Sequence, residues 1–338
     1  MSSTQFFLVG GLAVLLPMLF FGADAKGIKE PLGLLPIQFP RENPYTPEKV
    51  ELGKLLYFDK RLSSDNTVSC ASCHHPDHAF TDGGATSTGI RGQKGGRSAP
   101  TVLNRAYSLN QFWDGRAGTL EDQAKGPIQN AIEMGNTHEN VVQTLRGIAG
   151  YRGLFKKVFG TEDLTIDHVA MAIATFERTL LSGDSAYDRF KAGNKKALTD
   201  AQYRGLHVFE GKAKCDQCHE GINFTTNAYH NLGVGTDKPN PDEGRFAVTK
   251  NAADWGTFKT PTLRDISKTG PYMHDGSLNT LDEVVDFYDK GGLPNKNLDD
   301  KLKKLNLNKE EKKDLVEFLK SLDGNSWQSV KEPSKFPQ

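Results

Sequence analysis

The sequence predicts an all-α protein made of two related domains. Three observations support this fold class. Amphipathic segments lie between loops rich in Gly, Pro and Asn, and runs with the alternating pattern of β-strands are few. The motif C-x-x-C-H occurs twice, at 70–74 and at 215–219. The segments that follow the two motifs also resemble each other, which indicates an internal duplication.

Each motif is the attachment signature of a c-type haem. Two thiols bond to the haem vinyl groups, and the adjacent His supplies a nitrogen to the iron. A disulfide pair or a zinc site are the simpler alternatives, but zinc would not need a His directly after the second Cys of both pairs. The motifs use all four cysteines of the chain. We therefore predict two covalent haems, held by Cys70, Cys73, His74, Cys215, Cys218 and His219.

The N-terminal segment has the features of an export signal. An apolar run covers residues 6–22, and Ala23-Asp24-Ala25 forms an A-x-A cleavage site. Pro17 interrupts the run, which is short for a membrane span. The lack of Lys or Arg before the run leaves an uncleaved anchor as an alternative. Because haem c is attached outside the cytoplasm in bacteria, we predict a periplasmic protein with a signal peptide at 1–25.

The rest of the chain has the size of two ordinary domains, about 310 residues. The formal net charge is zero, no basic block suggests nucleic acid, and no second apolar run suggests a membrane domain. Residues 27–44 are predicted to form an extended arm. Thr46 and Thr199 are predicted to cap helices that lead into the two motifs. Further helices are predicted at 167–190 and 308–322, and the tail from 323 has no helical pattern.

The duplication predicts which segments of the chain cover the distal sides of the two haems. Residues 99–104 match 260–265, residues 112–115 then fall on 273–276, and residues 119–122 fall on 280–283. The same register puts Pro127 opposite Tyr288. We therefore predict two fused cytochrome-c-like domains with one haem each, at 26–190 and 191–338. Residues 127–134 should face the first iron, and the segment around Tyr288 should face the second.

These residues resemble the bacterial dihaem cytochrome c peroxidase family, which includes the MauG-like enzymes. The resemblance covers nearly the whole mature chain, and its most specific pieces are residues 93–95, 99–101, 112–116, 123–127, 133–134 and 271–276. It implies that His74 is the proximal ligand of the peroxide-reactive haem and His219 that of the electron-transfer haem. It also implies that Glu133 handles the peroxide protons, that Gln123 lines the pocket and that Trp113 lies between the haems.

Without the resemblance, Glu133 would be expected to be a solvated carboxylate and Trp113 an aromatic residue of the core, which are the usual roles of these residue types.

Two departures from the family pattern point to its MauG-like branch. Ile90 stands where peroxidases that need reductive activation have a distal His, and Tyr288 stands where standard peroxidases have a Met ligand. Tyr288 is thus expected to bind the second iron. Met273 is the alternative ligand, although the repeat places it opposite Phe112, before the distal position.

The family also binds a calcium ion through an Asn side chain and two backbone carbonyls. The carbonyl positions match Thr269 and Pro271, whereas Ser98 stands at the Asn position. A hydroxyl is a weaker ligand, but calcium accepts neutral oxygens. The resemblance therefore leaves open whether the protein binds one calcium ion.

Three functions are compatible with this pattern. The leading one is a periplasmic peroxidase that reduces hydrogen peroxide to water at the first haem. Its electrons would come through the second haem from a small cytochrome c or a copper protein. The second is a MauG-like oxidase that uses peroxide to oxidise residues of a partner protein, and the third is a dihaem electron carrier without catalysis. Dimers are common in the family, so a homodimer is a further expectation.

Overall fold

The computed structural model describes residues 23–24 and 27–338. The predicted signal peptide lies outside the described residues apart from residues 23 and 24. The helices are α1 (Pro47–Phe58), α2 (Cys70–Cys73), α3 (Leu120–Gln129), α4 (His138–Gly147), α5 (Ala149–Phe159), α6 (Ile166–Arg178), α7 (Ala186–Lys191), α8 (Asp200–Glu210), α9 (Phe246–Thr249), α10 (Leu281–Asp289) and α11 (Lys309–Lys320). Short 3₁₀ turns cover Lys60–Leu62, Pro76–His78, Ile90–Gly92, Arg105–Tyr107, Cys215–Gln217, Ala252–Asp254, Ile266–Lys268 and Ser326–Ser329.

The strands are short and form two antiparallel pairs. β1 (Ala23–Asp24) pairs with β2 (Gln38–Phe39), and β3 (Tyr229–His230) pairs with β4 (Phe258–Lys259). The predicted all-α class is confirmed, because helices carry both large cores. In the part of the chain that the structure describes, no helix is long and apolar enough to cross a bilayer.

Helix α1 supports the first motif and begins where the sequence predicts. The Thr46 hydroxyl accepts the N–H of Lys49 at 3.1 Å, and proline fills the first helical position. α1 packs against α6 at Gly53, where an added Cβ would collide with the carbonyl oxygen of Ala172. Glycine therefore permits a close crossing of the two helices, around which the first core is built.

Helix α8 repeats this arrangement ahead of the second motif. It spans the predicted residues 200–210, and the Thr199 hydroxyl accepts the N–H of Gln202. Gly205 lies against α11, where an added Cβ would collide with the carbonyl oxygen of Asp314. The α8–α11 pair is thus the counterpart of the α1–α6 pair, and it carries the second core.

The predicted duplication is also visible downstream of the motifs. Phe112 and Met273, which the sequence register pairs, both adopt left-handed backbone angles, with φ of 67° and 72°. Isolated antiparallel bridges close the same turn in each domain, at 111 with 117 and at 272 with 278. Thr119 and Thr280 then cap α3 and α10. The two distal helices therefore leave equivalent turns.

The helix predicted over 167–190 is wrong in extent. α6 ends at Arg178, and α7 is a separate helix because Ser185 starts a new capping box with Asp188. The Asp188 carboxylate also pairs with Arg264 at 2.8 Å, and both side chains are buried. This ion pair and the packing of Tyr187 attach α7 to the second core.

The C-terminal tail returns to the first domain. Its 3₁₀ turn places Trp327 in the first core, while the indole N–H donates to Asp265 of the second domain at 3.1 Å. Arg61 donates to the carbonyl oxygen of Pro337 at 3.1 Å. Helix α7, most of which precedes the predicted boundary, thus packs against the second core, and the tail, which follows it, packs against the first. The domain boundary between residues 190 and 191 stays a prediction.

Candidate active site

Each C-x-x-C-H motif lines its own cavity. The first cavity has a volume of about 510 Å³ and the second about 640 Å³. Both volumes are typical of cofactor sites, which span about 300–1,000 Å³. No disulfide joins any two of the four cysteines. Among the described residues, no cluster of three or more His, Cys, Asp or Glu could hold a metal ion directly. The motifs therefore fit covalent haem attachment better than zinc or a disulfide.

The two motif histidines are oriented in the same way. Nδ1 of His74 lies 3.3 Å from the carbonyl oxygen of Phe80, and Nδ1 of His219 lies 2.9 Å from that of Phe224. An Nδ1–H that donates to a carbonyl leaves the lone pair of Nε2 available to iron. Burial lowers the pKa of His74, and it lowers that of His219 to about 4. Both rings are thus kept in the neutral form that a metal requires.

The first cavity contains a carboxyl group suited to proton transfer. Glu133, Gln123 and Pro127 line it on the predicted distal side. Asn130 donates to Glu133 Oε1 at 2.7 Å. Burial raises the pKa of Glu133, against the opposing effects of Arg116 and Asn130. A carboxyl group with a raised pKa binds a proton more tightly, which suits a group that accepts a proton and then returns it.

Ile90 leaves this side of the cavity open. It is 2% exposed and packs against Gly135, where an added Cβ would collide with the isoleucine side chain. Its N–H donates to the carbonyl oxygen of Glu133 at 2.8 Å. Ile90 therefore supports the Glu133 segment from behind and is not part of the cavity wall. Met134 lines the wall and belongs to the buried first core.

Trp113 lines both cavities, as do Ser98 and Arg105. The Trp113 indole donates to the carbonyl oxygen of Ser98 at 2.9 Å. The neighbouring Asp114 pairs with Arg97 at 2.7 Å and with Arg116 at 3.0 Å. Arg116 also lies over the ring of Phe112, with 3.5 Å from its guanidinium carbon to the ring centroid. These contacts fix the aromatic side chain between the two sites.

Tyr288 reaches the second cavity from α10, at the position that the repeat pairs with Pro127. Burial, and then the nearby thiols of Cys215 and Cys218, raise the pKa of Tyr288 well above its usual value. Ionisation of this phenol therefore needs a cation in the cavity. Met273 also lines the second cavity, from the left-handed turn that precedes α10. The structure thus brings both candidate ligands to the same site.

The three residues matched to the calcium site belong to the lining of the second cavity. They are Ser98, Thr269 and Pro271. The Ser98 N–H donates to the carbonyl oxygen of His274 at 2.7 Å, and its own carbonyl accepts the Trp113 indole. These oxygens are neutral, so they fit a calcium ion only with further ligands.

Sequence reasoning missed a second carboxylic acid in the first cavity. Glu177 of α6 lines it, is 5% exposed, and its Oε2 atom has no hydrogen-bond partner among the described residues. Burial raises the pKa of Glu177 to about 8, partly opposed by Arg178 and Arg105. Its counterpart across the α1–α6 and α8–α11 pairs is Leu319. The signal in the sequence is an acid four residues after Ile173, on the apolar face of the helix.

A second missed feature is a pair of buried cations beside the cavities. Lys259 lines the second cavity, is 3% exposed, and forms no ion pair within the described part of the chain. Burial lowers its pKa to about 7, and the charge of Arg105 adds to this effect. Arg105, which lines both cavities, and Lys259, which lines the second, suit the carboxylate groups that a haem carries. Nothing in the local sequence of Lys259 signals this burial.

Comparison with known proteins agrees with this geometry. The family model described as di-haem cytochrome c peroxidase matches residues 47–196. Methylamine utilization protein MauG of Methylorubrum extorquens is 42% identical over 289 residues, which cover 85% of this chain and 81% of that protein. Cytochrome c551 peroxidase of Nitrosomonas europaea is 40% identical over 316 residues, covering 93% and 90%.

A solved structure extends the similarity to the fold. The crystal structure of a MauG-like protein associated with microbial copper homeostasis matches with a TM-score of 0.82 and 34% identity. The match covers 88% of this chain and 96% of that one. The paired motifs, the repeated cavities and these relatives lead to one assignment. The chain belongs to the dihaem cytochrome c peroxidase family, in its MauG-like branch.

Proposed function

We propose that the protein is a periplasmic peroxidase that reduces hydrogen peroxide to water in the first cavity. The observation that carries this proposal is the open side of that cavity. Glu133 and Gln123 line it, and Ile90 is buried behind the wall. Relatives named cytochrome c peroxidase or cytochrome c551 peroxidase support the same reaction.

The chain's own residues would have the following roles. Haem, attached at each motif with His74 or His219 as the proximal ligand, would supply the iron and the redox chemistry. Glu133 would accept the proton from one peroxide oxygen and return it to the other, which leaves as water. The 2.7 Å hydrogen bond from Asn130 holds the carboxyl group for this transfer. Two electrons and two protons convert one peroxide into two waters.

Electrons would reach the first cavity through the second. Trp113 supports this route because it lines both cavities. His219 and Tyr288 are the proposed ligands of the second iron, with Met273 as the alternative. The donor would be a small periplasmic cytochrome c or copper protein. Export is supported by the apolar run at 6–22 and the cleavage pattern that follows it.

A second candidate function is MauG-like oxidation of residues on a partner protein. Tyr288 in the second cavity favours it, as does 42% identity to a MauG protein.

A dihaem electron carrier without catalysis is disfavoured by Glu133 and by the open first cavity, because a carrier needs neither. A calcium ion at Ser98, Thr269 and Pro271 and a homodimer remain parts of the proposal. No feature of the chain favours nucleic acid.

Peroxide turnover by the purified dihaem protein, with a reduced small cytochrome c as donor, tests the proposed function. We expect oxidation of two cytochromes for each peroxide. Glu133→Gln should slow turnover strongly, whereas Glu139→Gln, an exposed acid at the start of α4, should not. Slow cytochrome oxidation, together with peroxide-dependent oxidation of side chains on a partner protein, would favour the second candidate.

A further inference from the structure

Besides the buried Lys259, five exposed lysines line the second cavity from two segments of the chain. They are Lys212, Lys214, Lys301, Lys303 and Lys304, and we call them the lysine rim. All five residues are exposed. Two acids, Asp299 and Asp300, line the same cavity. The rim is therefore a local excess of positive charge on a chain whose formal net charge is zero.

Most of this charge is not neutralised within the described chain. Lys212 pairs with Glu311 at 2.7 Å, and Lys301 lies 4.0 Å from Asp299. The carboxylate of Asp299 also contacts Nδ1 of His230 at 2.5 Å. Lys214, Lys303 and Lys304 form no ion pair with any residue between 27 and 338. Three exposed cations thus face solvent at the mouth of the cavity.

The rim lies at the cysteine edge of the second cavity. Lys214 directly precedes Cys215, and Lys301 lines the same cavity as Cys218. A haem bonded to these cysteines would be attached through its vinyl groups here. An electron that enters at this edge therefore crosses the surface that carries the lysines.

The first cavity has a different charge pattern. Its charged lining consists of three arginines and four acids, namely Arg97, Arg105, Arg116, Asp114, Glu133, Glu177 and Asp242. Lysine is not among them. The lysines are specific to the cavity through which electrons would enter.

We propose that the lysine rim is the docking site of the electron donor, and that this donor presents an acidic surface around its own redox centre. The inference rests on the proposed entry of electrons through the second haem. Opposite charges on two such surfaces steer the encounter and raise the association rate. Salt screens charges on exposed surfaces, so the rate should fall as ionic strength increases.

The experiment measures reduction of the second haem by a reduced small cytochrome c in a stopped-flow instrument without peroxide. One basic cytochrome is used as isolated and after succinylation of its lysines, which makes the same protein acidic. We expect the succinylated form to react at least about 10-fold faster at low ionic strength, with an advantage that disappears in high salt. Reduction by a neutral hydroquinone serves as the reference rate.

The variant K303E/K304E should lose most of the advantage of the acidic cytochrome, by about 10-fold or more. Its matched control is K331E/K335E, which makes the same charge change on the tail and should leave the advantage intact. Equal rates for the two cytochromes, no salt dependence, or an equal loss in the control pair would overturn the docking site. Because the assay contains no peroxide, failure of peroxide turnover would reject the proposed peroxidase function separately.

Discussion

The indole N–H of Trp113 donates to the carbonyl oxygen of Ser98 at 2.9 Å, and both residues line both cavities. The carbonyl oxygen of Trp113 in turn accepts the N–H of Lys259 at 2.8 Å. The ring is thus held by the first domain and the backbone of the same residue by the second. An aromatic group fixed in this place can pack the contact, carry charge between the haems, or do both.

Trp113→Phe distinguishes these roles. Phenylalanine keeps an aromatic ring but loses the hydrogen bond and is harder to oxidise. We expect both haems to remain bound and electron exchange between them to slow about 10-fold, equivalent to a barrier increase of about 1.4 kcal/mol. Stopped-flow spectra after partial reduction measure the exchange. Trp327→Phe, at a buried indole in the first core, is the control and should leave the exchange rate unchanged. An unaltered rate in the Trp113 variant would leave that residue with packing alone.

Local patterns in the sequence predicted the parts of the fold that depend on neighbouring residues. The caps at Thr46 and Thr199 are such patterns, because a hydroxyl that satisfies a nearby N–H needs no tertiary contact. The duplication register was equally informative. It placed Phe112 on Met273, and these residues share the left-handed turn before the distal helices.

Features that depend on tertiary packing could not be predicted in the same way. An acid such as Glu177 on a helix is usually solvated. Its place on the apolar face of α6 indicates burial, but only the crossing of α1 on α6 puts it in a cavity. A lysine is also usually solvated, and only the tertiary packing around the two-residue strand β4 buries Lys259 beside the second cavity.

The break between α6 and α7 has a local signal that the helix prediction overlooked, because residues 182–185 read Ser-Gly-Asp-Ser and Ser185 caps the new helix. The buried ion pair of Asp188 with Arg264, which attaches this helix to the second core, depends on tertiary packing and has no such signal.

Tyr288→Phe tests the proposed ligand of the second iron. Phenylalanine keeps the shape of the ring and removes the oxygen, so the visible spectrum and electron paramagnetic resonance of the second haem should change. Its reduction potential should rise, because a phenolate stabilises ferric iron. Tyr272→Phe is the matched control, since that tyrosine lines the same cavity and donates to the carbonyl oxygen of Ile266. Unchanged spectra in the Tyr288 variant would restore Met273 as the ligand.

Glu177→Leu gives the first domain the residue that the second domain has at Leu319. The pKa of about 8 in the folded protein lies above the usual pKa of 4.5 for an exposed Glu. Between these pH values the folded state holds a proton that the unfolded state has released, so stability falls as pH rises. The variant lacks this dependence and should melt a few degrees above the wild type at pH 8, but not at pH 4.5. Glu177→Gln should flatten the dependence in the same way. Parallel melting curves for all three proteins would show that Glu177 does not titrate in this range.

The last prediction is that the first haem has an open coordination position in the resting, oxidised enzyme. His74 is the only His among the described residues that line the first cavity, Ile90 is buried behind its wall, and Met134 is held in the core. The oxidised protein should therefore show one high-spin and one low-spin ferric haem. It should react with peroxide without prior reduction, because no ligand has to leave first.

Glu133→Gln should slow this reaction by roughly 100-fold or more, the usual scale for a positioned acid or base. The wild-type rate should fall as pH decreases through the raised pKa of Glu133, because the protonated carboxyl group cannot take a proton from peroxide. The glutamine variant should lose this pH dependence, which a change in packing alone would not produce. Rapid mixing of the oxidised protein with peroxide over a range of pH measures both effects. Two low-spin haems at rest, with no reaction until one electron is added, would reveal a gating ligand and exclude the open site.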